Sequence, residues 1–125
     1  MEPQEALAEL LTLSSQIEDV AILGGSGFVL ASSGAPERGE QLARVAADLL
    51  AAAADVRPTG QVSRVEVQRG EGSVFVVVEG GRTAVATTVP EPTAGLVLYD
   101  LRTALRRLED APAQAKPKKK GKADA

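Results

Sequence analysis

The sequence predicts an α+β domain in the order α-β-β-α-β-β-β-α, with helices packed on a five-stranded antiparallel sheet. Three observations predict it. Apolar residues recur at helical spacing in three segments, five short runs have strand length and β-branched composition, and the links between most of those runs are tight and glycine-rich. A chain of 125 residues supports one compact domain, and a hydrophobic fraction of 44% supplies its core.

Residues 4–17 are predicted as the first helix. Leu7, Leu10, Leu11, Ser14 and Ile17 fall at steps of three and four, Glu5 and Glu9 lie on the other side, and Pro3 suits a first turn. Residues 20–24 (VAILG) and 28–32 (FVLAS) are apolar and short enough for strands. Gly24-Gly25-Ser26-Gly27 joins them as a hairpin turn. A phosphate-binding loop in its place would need a lysine and a following helix, and neither is present.

The second helix is predicted over 37–55, with Leu42, Val45, Ala46, Leu49, Leu50 and Ala53 on its inner stripe. Ala43, Ala47, Ala51, Ala52 and Ala54 make the rest of its surface small and uncharged, relieved only by Arg44, Asp48 and Asp55. A helix apolar on nearly all sides is buried on more than one side. In a domain of this size the second cover is another subunit, so this face is read as a dimer face.

Three further strands follow the loop at 57–60: residues 61–69, 73–79 and 82–89. Gly70-Glu71-Gly72 and Gly80-Gly81 join them into an antiparallel meander, with the continuous SVFVVVE run at its centre. Pro90 and Pro92 end the sheet. A final helix is predicted over 94–109, with Leu98, Leu101, Ala104, Leu105 and Leu108 on one stripe and Arg102, Arg106 and Arg107 around it. The domain is therefore placed at 1–110, and 111–125 (APAQAKPKKKGKADA) is expected to be a disordered Lys-rich tail.

Composition excludes several functions. Cysteine and histidine are absent, which removes disulfides, thiolate and imidazole catalysis and the usual zinc sites. Aromatics are 2%, too few for a base-stacking platform, so no nucleic-acid partner is expected. The carboxylate pairs Glu18-Asp19 and Glu109-Asp110 are expected as solvated caps at element ends. Ser14-Ser15 and Ser32-Ser33 lack an activating base, and Arg57, Arg64, Arg69 and Arg82 read as solvated or ion-paired. No catalytic residue, cofactor or metal is expected, and the chain is read as a non-enzyme.

Charge is divided. Residues 1–110 hold nine arginines and sixteen acids, net −7; residues 111–125 hold five lysines and Asp124, net +4. The tail is expected to stay solvated or to contact an acidic partner or surface. The acidic N-terminal segment does not read as a secretory signal, and no run is long enough to span a membrane, so a cytoplasmic location is expected.

The element order and the stretches IEDVAILGGSGFVLASS, LARVAADLLAAAADV, VEVQRGEGSVFVVVEGGRTAVATTV and GLVLYDLRTAL together resemble the Roadblock/MglB family, related to a dynein light chain. The likeness spans about residues 5–108, and the ordered set carries it rather than any single motif. The family hairpin typically has an acidic residue where this chain has Gly25-Ser26-Gly27. The resemblance implies a Roadblock/profilin-like fold and a bacterial-type regulator. It also implies a homodimer in which paired second helices and neighbouring third strands join two sheets. That places Ala43, Ala47, Asp48, Ala51 and Ala54, with Val62, Arg64 and Glu66 of the third strand, at the interface. It further implies regulation of a Ras-like small GTPase, by GTPase activation or as a scaffold. A structural dimerisation module with no effect on nucleotide turnover is the alternative.

Overall fold

A computed structural model describes residues 1–108. Three helices and five strands follow in the expected order: α1 (Pro3–Leu13), β1 (Ile17–Leu23), β2 (Val29–Ser32), α2 (Pro36–Val56), β3 (Arg64–Arg69), β4 (Gly72–Glu79), β5 (Arg82–Thr88) and α3 (Ala94–Arg106). The strands form one antiparallel sheet in the order β2-β1-β5-β4-β3. The β3-β4-β5 meander is as predicted. β5 then lies beside β1, so the β1–β2 hairpin joins the meander at the centre of the sheet.

Alternation along the strands divides the core in two. Val20, Ile22, Phe75, Val77, Ala84 and Ala86 face α1 and α3, whose Leu7, Leu10, Val97, Leu101 and Leu105 complete the larger cluster. Ala21, Leu23, Val76 and Val85 face the other way, against Leu42 and Ala46 of α2. The fold is thus a sheet between a helix pair and a single long helix. β1, β4 and β5 each supply both clusters through consecutive residues, which explains why their sequences are apolar without alternation.

Four boundaries differ by three residues or more from the sequence reading, one of them the end of α3, which stops at Arg106 with Arg107 as its C-cap instead of running to 109. The first helix stops at Leu13, not 17: Glu2 and Glu5 form a capping box at its start, and Ser14 donates its N–H to the Leu10 carbonyl at its end. Two serines are poor helix continuers, and β-branched Ile17 pairs with Thr88 instead, so its helical spacing from Leu10 is coincidental. β1 consequently begins three residues before the predicted 20, which puts Glu18 and Asp19 inside a strand and not at a cap. β3 begins at Arg64, not 61, so Val62 lies in the preceding loop. The domain boundary at 110, the tail 111–125, the carboxylates Glu109 and Asp110 and the last residue of the predicted third helix lie outside the described residues.

The glycine-rich stretch that joins β1 and β2 is a hairpin. Gly24 donates its N–H to the Phe28 carbonyl and Gly27 to the Gly24 carbonyl, both at 2.9 Å, with Gly27 at φ +91°. A strand follows it. A helix N-terminus, which a phosphate cradle would need, does not.

Candidate interaction surface

α2 is the least embedded helix. Among its 21 residues only Gly39, Leu42 and Ala46 are buried, and all three lie in its first half. Pro36 starts it, and its first turns press onto β2: a Cβ on Gly39 would meet the Ser32 Oγ at 2.6 Å. Ion pairing of Arg38 with Asp19 on β1 fixes the same end. From Ala47 onward the helix crosses toward β3, and its inward residues Leu49 and Leu50 remain half-buried beside Val65 and Val74.

The two sides of the sheet are therefore unequally filled. Among the described residues, sixteen are buried in the cluster under α1 and α3, against six in the cluster under α2. The shortfall lies at the end of α2 nearest β3. There Val56 is 78% exposed, and Ala47, Asp48, Ala51 and Ala54 all face solvent. Ala43 is half-buried and packs against the core instead of facing outward.

The sheet edges are also unequal. Edge strand β2 has four residues and is flanked by both α1 and α2. Edge strand β3 has six, pairs with β4 on one side, and presents its other side unpaired within the described chain. Its Val65 lies opposite Val76 and faces α2. Arg64 and Glu66 lie opposite Val77 and Phe75, and so project from the face that α1 and α3 cover. The structure thus brings the α2 alanines and β3 to one corner. It places Arg64 and Glu66 on the reverse face and Val62, half-buried, in the approach loop.

No three of the described His, Cys, Asp or Glu residues converge as a metal site. The second serine pair serves structure: Ser33 Oγ bridges to both the N–H and the carbonyl of Val20, at 3.0 and 3.3 Å. Arg69 is ion-paired with Glu71 at 3.1 Å. No described helix is long and apolar enough to cross a membrane.

Sequence reasoning misses a second feature, at the far end of the β4–β5 hairpin. The Glu79 carboxylate accepts from Arg106 and lies 3.9 Å from the Arg102 guanidinium. Its one signal in the sequence is the i, i+4 spacing of those two arginines, which puts them on one side of α3.

No family model and no curated protein matches the sequence. Solved structures do match the fold. A Roadblock/LC7 domain from Streptomyces avermitilis superposes with a TM-score of 0.73 at 19% identity, covering 85% of this chain and 93% of that one. Myxococcus xanthus MglB gives 0.64 at 17% identity, over 82% of this chain and 80% of that one. The gliding protein MglB from Thermus thermophilus gives 0.62 at 21% identity, over 82% of this chain and 84% of that one. With its element order, sheet order and two-sided core, the chain has the Roadblock/MglB-like fold.

Proposed function

We propose that the chain is a homodimeric, non-enzymatic adaptor that regulates a Ras-like small GTPase. The observation that carries the dimer is the unfilled corner. Half-buried Leu49, Leu50 and Val65 adjoin an alanine-faced helix and an edge strand with open backbone groups. A second copy related by a two-fold axis would cover the helix with its own α2 and extend the sheet with its own β3. Both uncovered features would be satisfied in one self-complementary contact. Alanine at 47, 51 and 54 lets two helices approach closely, as side chains of normal length would not.

The regulatory part of the reading rests on the fold shared with MglB and on a chemistry the chain lacks. Without histidine, cysteine or a converging acid cluster among the described residues, it offers a partner a surface, and the partner supplies the nucleotide and its hydrolysis. One MglB of this fold is described in a tetrameric arrangement, which agrees with a body built for self-association. The location in this reading is the cytoplasm, where such a GTPase would be met.

Two measurements test it. Light scattering of the full chain at micromolar concentration should return twice the 12.9 kDa chain mass, and a monomer overturns the dimer. GTP hydrolysis by a Ras-like GTPase encoded beside the gene should change when the protein is added, or the two should co-elute. A dimer that does neither is the structural module of the alternative reading.

A further inference from the structure

Glu79 is the last residue of β4 and pairs across the hairpin with Arg82, the first residue of β5. Both lie in register with the strand positions that face α3. Arg102 and Arg106 reach down from the last turns of α3 to the same carboxylate. Arg64, on β3, is opposite Val77 and projects from this same face. Four of the nine arginines of the chain therefore gather at one corner, around Glu79, with Glu66 the one acid that β3 adds to this face.

We infer that this corner is a docking site for an acidic polypeptide segment. The arginines already hold one carboxylate. Arg106 contacts Glu79 directly yet keeps 65% of its side chain exposed, and Arg102 keeps 35%, so each retains donors facing outward. A guanidinium presents five donors in a planar fork, and one carboxylate does not use them all. Recognition of acidic motifs by clustered arginines works in this way. The remainder of the body is acidic, so an acidic segment is repelled elsewhere and steered here. The assignment does not depend on dimerisation: the corner lies on the face opposite α2, and its key side chains come from β4 and α3.

The test uses the full chain and a fluorescently labelled oligoglutamate peptide, read by anisotropy at low salt. The peptide should bind, and raised salt should weaken it. Replacing both helix arginines (Arg102→Gln with Arg106→Gln) should weaken binding about ten-fold or more. Glu79→Gln is the sharper variant, because it releases both guanidiniums from their internal partner and should tighten binding several-fold. A thermal melt of each variant confirms that it is folded. Absent peptide binding, an arginine variant that binds like the wild type, or weaker binding by Glu79→Gln each overturns the proposal. Tighter binding to phosphatidylglycerol vesicles or to single-stranded DNA than to the peptide overturns it in favour of a phosphate-bearing partner.

Discussion

Arg38 on α2 and Asp19 on β1 bring a helix and a strand together across nineteen residues of sequence, with the guanidinium Nη2 3.0 Å and Nε 3.1 Å from one carboxylate oxygen. Gln41 accepts from the other side of the same guanidinium at 2.7 Å, and the Thr87 hydroxyl reaches the Asp19 carboxylate at 3.5 Å. The pair sets where α2 begins its crossing. Both side chains are about one-third exposed, so solvent screens the attraction. A double-mutant cycle of Asp19→Ala and Arg38→Ala should therefore give a coupling of only about 0.5 kcal/mol, shrinking further in high salt. Urea unfolding of the four proteins measures it; a coupling that salt leaves untouched would contradict a screened ion pair.

Gly72 opens β4 at φ +143°, where a side chain is rarely accommodated, and a Cβ there would sit 2.1 Å from the Thr88 backbone carbonyl oxygen. Backbone cannot retreat as a flexible side chain can. Gly72→Ala should cost roughly 3 kcal/mol or more, combining backbone strain with overpacking. Gly70, two residues earlier in the same turn, has no atom near its Cβ position and no positive φ, so Gly70→Ala should change stability little. Thermal or urea unfolding of the two variants checks the contrast.

These residues also mark what the sequence makes legible. Local rules locate the elements: strand length and β-branching find β4, the glycine links find the hairpins, and the leucine stripe finds α3. The misreadings come where two local signals overlap. Ile17 fits both the helical spacing of α1 and the β-branched start of β1, and pairing with Thr88 decides it. Val62 looks like strand, but β3 only starts where a partner, Val77, stands opposite Arg64. The alanine face of α2 is legible because composition alone makes a helix smooth. The Glu79 corner is not: 27 residues separate Glu79 from Arg106, and only the sheet order and the direction of α3 bring them together.

Ala47 and Ala51 are exposed on the single chain, and glutamate is nearly as good a helix former as alanine. Ala47→Glu or Ala51→Glu should thus leave secondary structure intact. In a dimer with α2 against α2, the same change buries an unpaired charge at a cost of roughly 3 kcal/mol, enough to weaken association by over about 100-fold. Light scattering should then shift from dimer to monomer with an unchanged circular dichroism spectrum. A Glu variant that remains dimeric would move the interface away from this face of α2.

Thr88 and Ser73 are neighbours in the core with opposite hydrogen-bond accounts. Thr88 is 1% exposed; its Oγ1 accepts from the Ser73 N–H at 3.0 Å and donates to the Val89 carbonyl at 2.9 Å. Ser73 is 2% exposed, and its own Oγ is buried without a partner among the described residues. A buried hydroxyl without a bond has lost its hydration for nothing, whereas one that satisfies two backbone groups would leave both stranded if removed. Ser73→Ala should accordingly be neutral or stabilising by up to about 1 kcal/mol. Thr88→Val, which keeps the shape and deletes the hydroxyl, should destabilise by about 1–3 kcal/mol. Urea midpoints of the two variants, measured at unchanged m-value, settle the sign. If Ser73→Ala cost as much as Thr88→Val, the Ser73 hydroxyl would have to be bonded after all.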